Sequence, residues 1–424
     1  MKHEQDWAAA ETTPEDVPPE LLDACAAAEG ALRRPKVMFL TSHSAVGGAS
    51  EIWSNLAVAM ARRGYPVRLA AFYPPVAEPR QPVEDGLAWD HVLSRKPASA
   101  LGGVALFAAL LRFLATHRPD VVYTALPAAG VMVPLAAQLL GGRTRVIVSH
   151  HSPVDTHGWL SRRFDNFSGR LPCVTAVAAV SEAVGGSLGD RSAAYRAKLR
   201  VIHNSLPPAI EGHLAKLARG RIGRVPGRNL IAVGRLAPEK NCGVLLRALA
   251  RVPDATLTLV GAGPEEAGLR DLADELGIAD RVRFPGLMPR TEALSLLADS
   301  DIFLQPSLFE GHSLALIEAS KLGVPLIVSS APSQIEGVTG AGGERCGVVV
   351  DPHDDAALAM EIRRILDDAN RRRDWVERSW TLGRGVSFEG TVSAYLALGE
   401  AAHAGARPDV SPVILRVNRI RKVA

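Results

Sequence analysis

Four cysteines among 424 residues are too few and too scattered to frame a fold. Cys25, Cys173, Cys242 and Cys346 make no CxxC pair and no disulfide-like spacing, which predicts a reducing, cytoplasmic setting. Aromatic residues make up only 5% of the chain, with alanine and leucine filling the deficit. A net charge of only +3 gives no preference for a polyanion, so no nucleic-acid partner is expected. Long apolar runs are scarce too: residues 102–111 and 128–140 read as too short or too interrupted to span a bilayer. Residues 1–35 are polar, acidic and Pro-containing, unlike a secretory leader. These absences predict a soluble globular protein, and the length suits two domains of about 180 residues each plus tails.

What is present is an alternation of short continuous apolar runs with amphipathic ones. Residues 36–40, 67–72, 120–124, 145–149, 174–180 and 200–203 read as strands, with helices near 50–63, 104–115 and 131–140 between them. A second series of strands reads at 230–233, 256–260, 282–284, 302–305, 326–328 and 347–350, with helices up to 276, at 358–367 and at 388–401. Continuous apolar strands in βα alternation predict parallel sheets covered by helices on both faces. Residues 205–228 carry Pro, Gly and Arg and read as the connection between the two halves.

The chemistry concentrates between Phe309 and Ser329. Gly311 sits where backbone must come close to something. Ser313 reads as the N-cap of a short buried helix carrying Leu314, Leu316, Ile317 and Leu322, stopped by Gly323 and Pro325 before the strand at 326–328. Glu310 precedes this helix and Glu318 lies inside it. A carboxylate in a nearly all-apolar helix is costly to desolvate unless it is hydrogen-bonded. Sugar and ribose hydroxyls suit that need, and the helix N-terminus between the two is a ready phosphate site. The plainer reading has Glu310 capping a loop and Glu318 meeting a surface lysine.

Other candidates lie at strand ends, where ligands of open α/β sheets bind. Gly47-Gly48 follow the first strand and open a helix, a phosphate-approach arrangement that is not GxGxxG and so disfavours a dinucleotide. The strand at 145–149 runs into His150 and His151. Either histidine could bond backbone in a tight turn, or His150, His151, Asp155 and His157 could hold a metal, although their spacing fits no standard zinc pattern. Arg235 offers a planar fork and Lys240 a point charge, together suited to a pyrophosphate; the alternative is a surface salt-bridge network. Arg162, Arg163, Arg191, Arg196, Lys198 and Arg200 make a basic region, either a solvated face or a docking point for anionic lipid or a phosphorylated lipid-linked acceptor.

Glu310-x7-Glu318, with Gly311, Ser313-Leu314 and Gly323-x-Pro325, resembles the signature of the family 4 retaining glycosyltransferases of GT-B fold. Gly234, Arg235 and Lys240 match that family's Gly-Arg…Lys pattern, and the resemblance spans about residues 36–400. It implies two Rossmann-like domains facing across a cleft, with a C-terminal helix crossing back to the first. The implied division is a poorly ordered lead-in at 1–35, an acceptor-binding domain at 36–204, a linker at 205–228, a nucleotide-sugar-binding domain at 229–385, the crossover helix at 386–404 and a basic tail at 405–424. The implied activity is a metal-independent hexosyltransferase with no cofactor. It would use a nucleotide diphosphate sugar and a sugar or lipid-linked acceptor in polysaccharide, lipopolysaccharide or glycolipid assembly. Beside the resemblance, the basic region adds the expectation of peripheral contact at the inner face of an anionic membrane.

Carried over residue by residue, the resemblance makes His151, Glu310, Arg235 and Lys240 the catalytic set. Gly47 and Gly48 would face the donor pyrophosphate, Arg235, Lys240 and the amides near Ser313-Leu314 would stabilise the leaving phosphate, and the backbone at Gly286-Leu287 would hold the base. Glu318 would accept from the ribose, Glu310 with Gly311 and His312 would orient the sugar, and His151 would reach the reacting carbon. The chain departs from the family at Ala49-Ser50-Glu51, where a small residue, Glu and Arg are usual, and at Ser205 and Pro207-Pro208 after Asn204. Two other readings are a nucleotide-sugar epimerase or hydrolase, with Glu51 and Asp155 as the only acid/base candidates, and a non-catalytic nucleotide-sugar binding protein.

Overall fold

The computed structural model of the protein describes residues 33–75, 83 and 86–405. Most of the expected lead-in, and the basic tail with Arg416, Arg419, Arg421 and Lys422, lie outside the described residues. The first seven strands are β1 (Val37–His43), β2 (Val67–Tyr73), β3 (Trp89–His91), β4 (Val121–Ala125), β5 (Arg145–His150), β6 (Val174–Ala179) and β7 (Leu199–Val201). They form one parallel sheet in the order β3-β2-β1-β4-β5-β6-β7. The next six are β8 (Asn229–Val233), β9 (Thr256–Val260), β10 (Val282–Gly286), β11 (Ile302–Gln305), β12 (Leu326–Ser329) and β13 (Val348–Val350). They form a second sheet in the order β10-β9-β8-β11-β12-β13. Both sheets are the predicted parallel, doubly covered kind, in the expected two-domain arrangement.

Side-chain alternation along β1 shows how each face finds its cover. Val37 and Phe39 point to the core shared with the helix Gly48–Arg62, while Met38 and Leu40 point to the core shared with the helices Ala100–His117 and Pro127–Leu139. The first of these cores is completed from the far end of the chain. The helix Phe388–His403 packs Phe388, Val392, Tyr395, Leu398 and Ala402 onto the first sheet, as expected of the crossover helix. Its approach is close: Tyr123 Oη donates to the Tyr395 carbonyl at 2.5 Å, and a Cβ on Gly399 would lie 2.3 Å from that same Oη. Phe39, Trp53, Tyr123 and Tyr395 form a ring cluster, with Phe39 and Tyr123 stacked at 4.9 Å.

Two expectations change. The segment 205–228 is more than a connection, because Pro208–Gly220 is a helix with Pro208 in its first turn, and its buried Leu214 packs with Leu294, Leu297 and Leu322 of the second domain. The apolar stretch around residues 102–111 also extends further than expected. The helix Ala100–His117 has a mean hydropathy of 1.6 and is long and apolar enough, by length and composition, to cross a membrane. Here it lies on the first sheet through Leu106, Leu110 and Leu114.

A valine at Gly399 should lower stability by about 1–3 kcal/mol, the usual cost of overfilling a packed site, since Tyr123 is fully buried and held by its hydrogen bond. Gly212→Ala, on an exposed face of Pro208–Gly220 with nothing within 4 Å of the added Cβ, should instead raise it by about 0.5–1 kcal/mol. Urea denaturation of the two variants checks both signs.

Candidate active site

The second domain supplies a tightly stitched pair of loops. After β8, Gly234 turns the chain at φ 153°, and the turn packs so closely on the one after β9 that a Cβ on Gly261 would lie 1.9 Å from the Gly234 carbonyl oxygen. Arg235 on this turn is exposed. A short turn Pro238–Lys240 follows, and Asn241, at φ 53°, donates from Nδ2 to the carbonyls of Pro306 (3.2 Å) and Pro352 (2.7 Å). The Leu308 amide in turn donates to the Glu239 carbonyl at 2.8 Å. The loop bearing Lys240 is thereby fixed to the loop bearing Glu310.

The side chains meet there. Glu310 Oε1 accepts from Lys240 Nζ, from Ser307 Oγ at 2.9 Å and from Gln305 Nε2 at 3.2 Å. Gln305 Nε2 also reaches Ser313 Oγ at 2.9 Å, and Ser313 caps the helix Leu314–Lys321 by accepting from the Leu316 amide, as its sequence position predicts. Glu310 thus ties down its own loop, as the plain alternative has it, and pairs with Lys240 as well, whereas Glu318 meets an arginine rather than a surface lysine.

That arginine, Arg290, was not singled out from sequence. It opens the helix Arg290–Ala298, just past the turn at Gly286 (φ 76°) and the exposed Leu287. Its Nε donates to Glu318 Oε1 at 2.8 Å, with a second donation from its Nη2 to the same oxygen. Burial pushes the Glu318 carboxyl up from its ordinary pKa, against the pull of the guanidinium. Arg290 also pairs with Glu51, in the first turn of the helix that Gly47 and Gly48 open. One guanidinium thus joins Glu318 to the first-domain glycine loop. Neither Gly47 nor Gly48 has anything within 4 Å of where a Cβ would stand, so no neighbour in the chain demands a glycine there.

On the first domain, the histidines at and beyond the end of β5 turn to separate partners. His150 Nε2 faces Tyr195 Oη at 2.8 Å beside Asp165, which also takes Arg191 Nε at 3.1 Å. His157 pairs with Ser152 Oγ at 2.9 Å. Among the described residues, no group of three or more His, Cys, Asp or Glu side chains is gathered to hold a metal. His151 pairs with Ser149 Oγ at 3.1 Å and lies edge-on to the buried Trp53 at 5.2 Å. The residue as a whole is only partly covered, yet burial of its ring, helped by His150, lowers its pKa to about 3. The imidazole is neutral at physiological pH.

The two domains close on each other at Gly311. A Cβ there would lie 2.0 Å from the His151 carbonyl oxygen and 3.1 Å from Val180 Cγ2, which is the close backbone approach expected of this glycine. Around it, Asn204 Nδ2 donates to the His312 carbonyl at 2.9 Å, and the His312 and His203 rings lie 4.9 Å apart. Glu336, another residue the sequence did not mark, takes the amides of Glu182 and Ala183 at 2.8 Å each and His203 Nε2 at 2.7 Å. Predicted residues from both domains are therefore brought to one seam, and Arg235 lines a small cavity beside it with Lys240, Gln305 and Ser307. A surface hollow between Arg251, Met360, Arg363 and Arg371 lies elsewhere and contains none of them.

Comparison with known proteins gives the same two halves. A family profile described as Glycosyltransferase Family 4 matches residues 46–209, and one described as Glycosyl transferases group 1 matches residues 224–380. The chain is 37% identical over 170 residues to the lipopolysaccharide core biosynthesis glycosyltransferase LpsD of Rhizobium meliloti, covering 40% of this chain and 48% of that protein. It is 34% identical over 191 residues to a D-inositol 3-phosphate glycosyltransferase of a Mycobacterium species, covering 42% of each. The chain thus spans about half the length of these relatives, or slightly less. Among solved structures, Anabaena HepE in complex with UDP and glucose superposes with a TM-score of 0.68 at 20% identity, covering 86% of this chain and 98% of that one. WaaG, a glycosyltransferase involved in lipopolysaccharide biosynthesis, superposes at 0.66 with 16% identity, covering 85% and 99%.

The depressed pKa of His151 has a consequence for acid stability. Between pH 7 and pH 5 the unfolded chain takes up a proton at this residue and the folded chain does not, so stability falls as pH falls from about 6.5 toward 3. Glu318, with its raised folded pKa, acts in the opposite direction. Urea unfolding at pH 7 and pH 5 should therefore show His151→Gln losing about 2 kcal/mol less than the unmodified protein on acidification. Equal losses in the two proteins would mean that His151 titrates normally.

Proposed function

The chain belongs to the group 1 and family 4 glycosyltransferases, and on that premise we propose that it moves a hexose from a nucleotide diphosphate sugar to an acceptor hydroxyl with retention of anomeric configuration. The observation that carries the reading is the meeting of Lys240, Glu310 and the Gly311–His151 contact at one seam between the domains. Polysaccharide, lipopolysaccharide or glycolipid assembly is the setting this reading favours. LpsD and WaaG, both named for lipopolysaccharide work, support it.

In the proposed reaction the bond from the anomeric carbon to the phosphate oxygen breaks, with its electron pair leaving on the phosphate. The acceptor oxygen bonds to the same carbon on the same face, and its proton passes to the departing phosphate. The protein's share is electrostatic and positional. Lys240, held beside Glu310 before the donor arrives, has a charged partner to leave and a more highly charged one to meet, and Arg235, lining the same small cavity, adds a fork. Both Arg290 contacts fall on Glu318 Oε1, which keeps the buried carboxyl's charge supported and leaves Oε2 for ribose hydroxyls. Neutral His151 can lie beside a sugar gaining positive charge without repelling it. The side chains thus supply the charge that a metal ion would otherwise bring to the diphosphate.

Replacing Arg235 or Lys240 with Ala should lower turnover by a factor on the order of 10², the scale of one lost charge-stabilising contact. The double variant should lose less than the product of the two, since both act on one anion. Arg235→Lys should be poorly tolerated because a point charge cannot reproduce a bidentate fork. Melting temperature and sugar transfer are measured on the same preparations, with the donor first chosen as whichever UDP-, GDP- or ADP-sugar raises the melting temperature. A double variant that melts normally and transfers at near the unmodified rate would sink the assignment.

A further inference from the structure

The helix Trp159–Ser168 is built inside out. Trp159, Leu160, Phe164 and Phe167, which share one stripe at helical spacing with Arg163, are each more than half exposed, while the residues it buries are Asp165 and Ser168. Asp165 is held by Arg191 and Tyr195, and Ser168 Oγ donates to the Gly130 carbonyl at 3.4 Å, so polar contacts anchor the helix and the apolar face is left outward. Ordinary burial would place these faces the other way.

Its neighbours repeat the pattern. It packs on Pro127–Leu139, which packs on Ala100–His117, all three joined to consecutive strands of the first sheet. Leu101 and Val104 on one, and Leu139 and Leu140 at the end of the other, are exposed as well. Eight of the fourteen large apolar side chains exposed among the described residues therefore belong to this group of helices. Asp165 is the only carboxylate in the three helices and it is buried, whereas Arg112 and Arg163 are exposed and Arg162 is partly so. The basic residues expected to share this role need a correction. Arg191 is buried against Asp165, and Lys198 Nζ is spent on the carbonyls of Gly169 and Leu171.

From these observations we infer that the three-helix face docks on an anionic lipid bilayer. Trp159, Phe164 and Phe167 enter the headgroup boundary and Arg112, Arg162 and Arg163 meet lipid phosphates. The chemistry argues for this occupant: an apolar stripe edged by arginines, on helices that expose no carboxylate of their own although Asp155 lies exposed just before the last of them, matches a surface that is apolar beneath and negative above. The helix starts shortly beyond His151, at the carboxyl-end rim of the first sheet, so a docked molecule would hold its cleft near the membrane surface. Lipid binding itself does not depend on the transfer reading.

Sedimentation of the full chain with vesicles tests this. Partition should be at least tenfold higher onto phosphatidylcholine mixed with phosphatidylglycerol than onto phosphatidylcholine alone, and should fall at high salt. Trp159→Ser/Phe164→Ser/Phe167→Ser should lower it by a factor on the order of ten or more at an unchanged melting temperature, because all three side chains are already outside the core. Arg112→Glu/Arg163→Glu should remove the preference for the anionic vesicles. The inference is overturned if the protein binds neither vesicle, or if the triple variant binds as well as the unmodified chain. It is also overturned if light scattering shows a dimer that the triple variant dissolves, since a second copy would then be the occupant.

Discussion

The structure turns on a space too small for a methyl group. Where the loop after β11 crosses to the first domain, the Gly311 backbone lies so close to the His151 carbonyl that no side chain could stand between them. This contact brings the end of β5 against the loop that leads into the helix Leu314–Lys321. Everything proposed for the site depends on it, because Glu310, held through Lys240, Ser307 and Gln305, is the residue immediately before. The Asn204–His312 bond and the Glu336 carboxylate on the amides of Glu182 and Ala183 hold the same seam from its side.

Electrostatics then explains why two carboxylates can sit in this seam. Glu310 is supported by an ammonium, a hydroxyl and an amide, and Glu318 by a guanidinium that also reaches Glu51. Removing either cation would leave a carboxylate in a place where an unpaired charge is costly. In the proposed reaction Lys240 answers the phosphate, while Glu318, supported by Arg290, answers the ribose. They organise the site before the donor arrives and stabilise it afterwards.

The sequence carried the parts of this that depend on local order. Every strand but β3, the Ser313 cap and the close approach at Gly311 were readable from apolar runs and from glycine or serine placement, while the closing helix at Phe388–His403 followed from the family resemblance. Arg290 was not, because its significance lies in Glu51 and Glu318, far away in the chain and joined only when the domains meet. Several helices were not read from sequence, Pro208–Gly220, Cys242–Ala250 and Arg290–Ala298 among them, and for two others the reason is that what they bury is not apolar. Ala369–Arg384 buries Ser379 and Gly383, and Gly383 packs so tightly on Ser320 and Lys321 that a Cβ would lie 2.8 Å from their backbone. Trp159–Ser168 buries an aspartate and a serine. A pattern search for an inward apolar stripe finds neither.

The most direct test of the account is Gly311→Ala, assayed for free-nucleotide affinity by calorimetry and for sugar transfer by initial rates. The added methyl group cannot coexist with the His151 carbonyl at 2.0 Å, so the loop must move and carry Glu310 with it. Nucleotide contacts that lie within the second domain should survive. Affinity should therefore stay within a few-fold of the unmodified protein while turnover falls by a factor on the order of 10², as expected for a displacement of about 1 Å at a reacting centre. Turnover that persists in a variant with unchanged melting temperature would contradict the claim that this contact sets the geometry of the site.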